Sequence, residues 1–277
     1  MSESRDTPSR SVFLVTKEYR RFAELCEACR RDRYIGVCSG PPGVGKTLSA
    51  RHYAHWDDVE IGLLEHRTTI GADIPPDLAD SHTLVYTPSV ATTPRRLSND
   101  LGTLSLTFNE LVRAAREAAV WPPSPRRSVV ELLIVDETDR LKLPELEMLR
   151  DRYDRANFGD GVGVVLIGLP GLEKRLARYP QLFSRVGFVH HYRPLGEEEL
   201  HFVLAHKWAE LGLTFSPEDY TDAEALAAIA RITGGNFRLV QRLFSQVARV
   251  LEINRLRTIT KEVVETARES LVIGPLP

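Results

Sequence analysis

The sequence predicts an α/β fold: a five-stranded parallel sheet flanked by helices, followed by a small all-helical part. Three observations predict it. Short apolar runs at residues 34–39, 83–87, 129–135, 163–168 and 187–191 read as strands, and VVELLIV and GVVLIG are apolar enough for burial on both faces of a parallel sheet. Helical periodicity fills the intervals between them. After Pro194 no strand pattern returns, and residues 197–211, 222–233, 237–253 and 261–270 all read as helices. The implied division is a flexible tail over residues 1–11, an α/β core over 12–194 and a helical lid over 195–277.

Taken in order, Thr16 is placed to cap a helix running to about residue 33, with Tyr19, Phe22, Leu25, Cys26 and Cys29 on one side. The first strand follows at 34–39, then a glycine-rich turn and a helix over 48–56. Residues 57–81 hold seven acids against one base, Arg67, and read as a less regular connection or small insertion with a solvated acidic face. The second strand, 83–87, ends in the polar loop 88–94. One helix starts after Thr93 and includes Leu97 and Leu101; a second covers about 107–119. Three prolines in WPPSPRR, residues 121–127, make a loop. A helix at about 144–153 follows the third strand, and one at 172–177 follows the fourth.

Composition narrows the classes. Apolar content of 43% and charged content of 27% suit a globular chain. A net charge of −2 excludes a wholly basic nucleic-acid binder, so any polyanion surface must be local. No apolar run approaches the roughly 20 residues that span a bilayer. The polar start MSESRDTPSR lacks a signal-peptide core, and the expected location is cytoplasmic. Three cysteines, Cys26, Cys29 and Cys38, argue against a disulfide scaffold. Cys26-x2-Cys29 has no second pair and reads as reduced packing within a helix.

The chemistry concentrates in YIGVCSGPPGVGKT. Gly40-x4-Gly45-Lys46-Thr47 fits the phosphate-binding loop, in the strand–loop–helix context that motif requires. Gly40, Pro41, Pro42, Gly43, Val44, Gly45, Lys46, Thr47 and Leu48 are the expected ATP-binding residues. Glycine freedom lets successive N–H groups point at the phosphates, and the new helix offers its positive end to the same anion. Lys46 is expected on the β- and γ-phosphates, and the Thr47 hydroxyl on Mg2+. Asp136 and Glu137 close an apolar strand. Asp136 can hold the same Mg2+, and Glu137 can polarise a water against the γ-phosphate. A whole strand, 83–87, intervenes between the two motifs, as in NTPases that carry an additional strand and a catalytic glutamate.

A five-stranded core followed by a helical lid resembles the AAA+ ATPases, whose subunits place ATP between neighbours. That resemblance implies an arginine acting in trans. Arg185, at the end of YPQLFSR, is the expected residue, with Arg175 and Arg178 as alternatives. It also implies a lid arginine touching the γ-phosphate, here Arg238 of GGNFR. The polar sensor that relatives carry after the fourth strand is replaced by Gly168-Leu169-Pro170, which implies slow hydrolysis or another residue in that role.

Within that class, VELLIVDETDRLK, VVLIGLPGL and YPQLFSR with the following FVHHYRPL resemble the transposition regulators TnsC, TniB and MuB. The similarity runs from about Tyr19 to the last helix. It implies an ATP-dependent protein that forms rings or helical filaments on duplex DNA, recruits and stimulates a transposase, and helps select the target. In such relatives DNA-facing residues come from core loops, which makes Thr92, Thr93, Arg95 and Arg96 the expected DNA contacts. Residues 231–261 carry seven basic residues against Glu252 alone, and could meet either DNA or a neighbouring subunit's acidic 57–80 region. Two other functions stay open on the sequence: a helicase- or clamp-loader-like ATPase, and a nucleotide-gated scaffold that binds no DNA.

Overall fold

A computed structural model describes residues 12–68, 75–119, 128–157 and 161–271. Strands β1 (Ile35–Ser39), β2 (Thr83–Tyr86), β3 (Leu132–Val135), β4 (Gly163–Gly168) and β5 (Val186–His191) form one sheet in the order β2-β3-β4-β1-β5. Every neighbouring pair is parallel. β1, β3 and β4 are buried along their whole length, as their unbroken apolar runs require. β5 alternates between half-buried and exposed positions, as an edge strand does. β3 is shorter than the apolar run that marks it: Val129 and Val130 are buried but precede the pairing, which begins at Leu132.

Helix α1 (Lys17–Asp32) starts where expected. The Thr16 hydroxyl accepts from the Tyr19 amide at 3.1 Å, a cap worth about 1 kcal/mol. Its apolar stripe, Phe22, Leu25, Cys26 and Cys29, is buried against the sheet. All three cysteines are free and buried. Burial pushes the Cys29 and Cys38 thiols up to about 12, and raises Cys26 well above its ordinary value.

Two expectations need correction. Residues 57–81 are not an irregular connection: α3 (Trp56–Thr68) occupies the first half, and a 3-10 turn, Pro76–Asp80, the end. Trp56, Val59 and Leu63 recur at helical spacing and are buried, and the acids lie between them. The two helices expected between 93 and 119 are one, α4 (Pro94–Ala119). Leu97, Leu101, Phe108, Leu111, Val112 and Ala115 are fully buried along it. Gly102 does not break it, because packing on both sides outweighs the roughly 1 kcal/mol that glycine costs a helix interior. The expected 121–127 loop and 1–11 tail lie outside the described residues.

Helices α5 (Leu143–Asn157), α6 (Leu172–Leu176) and α7 (Pro180–Phe183) lie among the last strands, and after β5 the chain becomes helical throughout: α8 (Glu197–Glu210), α9 (Tyr220–Thr233), α10 (Phe237–Asn254) and α11 (Lys261–Glu269). These four enclose a second hydrophobic cluster centred on Trp208, Leu243, Phe244 and Val264. Trp208 donates its ring N–H to the buried Asp222 carboxylate at 3.3 Å, which also accepts the Ser216 amide at 2.8 Å. Glu199 ties this helical part to the core. Its carboxylate accepts from the amides of Lys17 at 2.7 Å, Glu18 at 3.2 Å and Gly196 at 3.1 Å, so one side chain serves two helix N-termini. Among the described residues no helix is long and apolar enough to cross a membrane.

Candidate functional site

The site forms at the carboxyl ends of β1, β3 and β4, where loops of a parallel sheet leave a crevice. β1 runs directly into the loop 40–45, and α2 (Lys46–Tyr53) begins with the motif lysine. The Lys46 ammonium donates to the carbonyls of Gly40 at 2.6 Å and Pro41 at 2.7 Å. Burial pushes its pKa below the ordinary lysine range, while Cys38, Asp136 and Asp139 pull the other way. Leu48 is largely exposed on the first turn of α2, and Val44 is buried.

β4 separates β1 from β3, yet the two motifs meet across its end. The Thr47 hydroxyl donates to an Asp136 carboxylate oxygen at 2.6 Å. Asp136 is 3% exposed, and its second oxygen accepts the Glu137 amide at 2.8 Å. A hydroxyl and a carboxylate held together are the hard oxygen donors that Mg2+ prefers, so these residues fit that ion. Glu137 has φ 49°, the left-handed region that side chains other than glycine enter at a cost of order 1 kcal/mol. Its carboxylate pairs with Arg140, whose guanidinium also donates to the Pro88 carbonyl at 2.8 Å.

A cavity of about 610 Å³ holds this chemistry, with Lys46, Thr47, Asp136, Glu137, Asp139 and Arg238 in its wall. A second, of about 490 Å³, shares Gly45, Leu48, Phe237 and Gln241 with it and runs between α2 and the lid. Phe13 stacks on His52 in that second wall, at 3.7 Å between ring centroids. Tyr192 closes its floor through a 2.8 Å hydrogen bond to Ser49, and burial pushes the Tyr192 phenol up to about 12.

The lid reaches the loop directly. The Asn236 side chain caps α10 by accepting from the Leu239 amide, and donates to the Pro42 carbonyl at 2.8 Å. The Arg238 amide donates to the Gly43 carbonyl at 2.9 Å. Gly43, at φ 82°, has no room for a side chain: a Cβ there would lie 2.6 Å from the Asn236 amide oxygen.

Other expected residues are held elsewhere. Arg185 makes a two-pronged pair with Asp154, at 2.5 and 2.8 Å, and these bonds hold the Asp154 carboxyl below its usual range. Arg175 donates to the carbonyls of Asp139 and Leu141. Arg178 is exposed and has no side-chain partner among the described residues. In loop 88–93 the Thr92 hydroxyl donates to the Ser89 carbonyl at 2.8 Å, and Thr93 accepts from the Arg96 amide as the cap of α4. Both threonines therefore shape the loop. Arg96 lies 3.8 Å from Asp100, and Arg95 is exposed.

Three contributors escaped sequence reasoning. Asp139 accepts the Leu169 amide at 2.6 Å, so a carboxylate from the β3 turn stands where β4 offers only Gly168 and Leu169. Gly168 makes room for it, since a Cβ there would meet that carboxylate oxygen at 2.5 Å. Its signal was the last acid of DETD. Arg140 and Asn236 are the others, and the capping position of Asn236 before an apolar run was readable.

A family described as "AAA domain" matches residues 29–176. The chain belongs to the AAA domain family. It is 45% identical over 269 residues to a "Potential ATP-binding protein" of Staphylococcus aureus, covering 95% of this chain and 97% of that one. Among solved structures, the AAA domain and lid resemble the RuvB Holliday junction branch migration motor of Thermotoga maritima, with TM-score 0.60 and 19% identity over 95% of this chain and 71% of that one. The Aeropyrum pernix ORC1 protein, solved in complex with DNA, matches with TM-score 0.58 and 18% identity over 95% of this chain and 67% of its own. At those identities the likeness is one of fold. The AAA assignment makes the chain an ATP-binding P-loop protein.

Proposed function

We propose that this AAA protein hydrolyses ATP as an assembly switch, binds duplex DNA as a ring or helical filament, and regulates transposition by recruiting and activating a transposase and selecting target DNA. The observation that carries the ATPase reading is the 2.6 Å contact between Thr47 and Asp136, which joins the two nucleotide motifs across the end of β4. The loop 40–45 cradles the phosphates, Lys46 neutralises them, and the adjoining cavity beside Phe13 and His52 takes the base. Thr47 and Asp136 would hold Mg2+, which would draw charge from the phosphate oxygens. Glu137 leaves Arg140 to accept a proton from the attacking water. That water forms the new bond to the γ-phosphorus as the bridge to ADP breaks.

Arg238 reaches the γ-phosphate from the lid. Arg185 acts on a neighbour's nucleotide, exchanging the Asp154 carboxylate for a phosphate oxygen. DNA lies along Arg95 and Arg96 at the start of α4, with Thr92 and Thr93 presenting that loop. The transposition assignment rests on the DETDRLK and YPQLFSR resemblance. A helicase- or clamp-loader-like role is the second reading, supported by the fold shared with RuvB and ORC1.

Electron microscopy with a slow ATP analogue, with and without duplex DNA, tests the reading. DNA-dependent rings or filaments support it. A nucleotide-dependent oligomer indifferent to DNA would leave a scaffold in its place. Co-precipitation with a transposase, where one is encoded beside it, then separates the transposition role from the loader role.

A further inference from the structure

Helix α10 carries an arginine stripe whose guanidinium groups make no ion pair among the described residues. Arg238, Arg242 and Arg249 fall within about 40° of one another around the helix at 100° per residue. Arg242 and Arg249 stand two turns, about 10 Å, apart. Two more arginines follow just past the helix end, Arg255, at φ 52°, and Arg257. Arg242, Arg249, Arg255 and Arg257 are all exposed, and none makes an ion pair among the described residues. Glu252, the only acid on α10, pairs with none of them. Elsewhere in the lid, Arg231 and Arg268 pair with Glu265 and Lys207 with Glu210, and Lys261 makes no ion pair among the described residues.

A solvated helix face would account for exposure but leaves the unpaired run of arginines without a reason. Arg255 and Arg257 favour the negative end of the helix dipole, yet Arg242 and Arg249 lie well inside it. A neighbouring subunit's acidic α3 is a poor occupant. Arg51 already pairs with Asp57 and Glu60, and Asp58 is engaged too. Phosphodiesters arrayed along a duplex fit better, because planar guanidinium forks grip phosphate oxygens in pairs.

We infer that the outer face of α10 and the turn beyond it form a second DNA-backbone surface, whose placement is set by nucleotide. The inference rests on the DNA-binding reading above. It adds a lid contact to the core loop, and it couples the two sites through one rod. The first turn of α10 is fastened to the phosphate loop through Asn236 and Arg238, and the arginines lie further along the same helix. A nucleotide that draws Arg238 inward therefore sets the direction of the whole stripe.

The test is fluorescence anisotropy of the full chain with a labelled random-sequence duplex and a slow ATP analogue, across a salt titration. Each lost phosphate contact lowers the slope of log affinity against log salt by about 0.9. Arg242→Ala with Arg249→Ala should lower it by about 2 and weaken binding at least tenfold, while analogue binding is unchanged. Arg242→Lys with Arg249→Lys should keep most of the slope, which separates charge from folding. An unchanged slope in the alanine variant overturns the inference. So does loss of self-association, read by sedimentation without DNA, since that marks a subunit contact. The loop variant Arg95→Ala with Arg96→Ala is the reference arm. If it alone abolishes binding, the stripe fails and the DNA reading stands; if the unaltered protein binds no duplex, both fail.

Discussion

The side-chain amide of Asn236 donates to the carbonyl of Pro42 over 2.8 Å, so the lid is fastened to the backbone of the phosphate loop. The same side chain caps α10. Asn236→Ala should remove both functions, costing about 1 kcal/mol and lowering the melting temperature by about 2–4 °C. Asn236→Ser keeps a cap but is too short to reach Pro42. It should melt near the unaltered temperature yet lose part of the stabilisation that ATP confers. Thermal melts with and without ATP distinguish the two, and an equal ATP response in both variants would remove the tether from the account.

Lys46 and Glu137 should separate binding from turnover. Lys46→Ala removes the lysine of the phosphate cavity wall and should abolish measurable ATP binding. Glu137→Gln keeps shape but cannot take a proton. It should bind ATP normally and hydrolyse it about 100-fold or more slowly. Equilibrium binding and phosphate release read the two quantities, and retained turnover in the glutamine variant would move the base elsewhere.

The arginine that completes a neighbour's site can be found by contrast. Arg185→Ala should slow hydrolysis by about 1000-fold in the assembled protein, the scale of an arginine acting on transition-state charge. Arg178→Ala should leave it within about twofold. The reverse pattern would hand the role to Arg178, which has no Asp154 to leave.

Much of this is legible in the sequence. The phosphate loop and the strand ending in Asp136 announce themselves because parallel-sheet strands are unbroken apolar runs and the loop needs glycine, lysine and threonine at fixed spacing. α3 was not readable, because its acids outnumber its buried contacts and hide the Trp56, Val59 and Leu63 stripe. The two helices expected between 93 and 119 are one because the packing of α4 runs on through Gly102. The Arg185–Asp154 pair, the Asn236 tether and the Asp139 carboxylate at Leu169 join residues roughly 30 to 190 positions apart, and no local period encodes such contacts.

Acid should weaken the fold through its histidines. Burial pushes His52, His82 and His190 below the ordinary value of 6.5. For His190 the nearby Glu18 opposes that shift, while Arg21, His191 and Arg193 reinforce it. The unfolded chain takes up these protons as pH falls through about 6.5, and the folded chain does so only lower, so stability present above 6.5 is lost below it. Urea midpoints at pH 7.5 and 5.5 should show the fall, and His190→Gln should flatten it. A midpoint independent of pH over that range would count against burial as the cause.

The three buried thiols, two on α1 and one on β1, have a practical consequence. A thiol raised to about 12 is almost wholly protonated near neutral pH and, being buried, meets no reagent. The native cysteines can then stay in place while one is introduced on the outer face of α10 and another on α1. Maleimide dyes would mark those two positions alone, and energy transfer between them would follow lid angle through each nucleotide state in the otherwise unaltered chain.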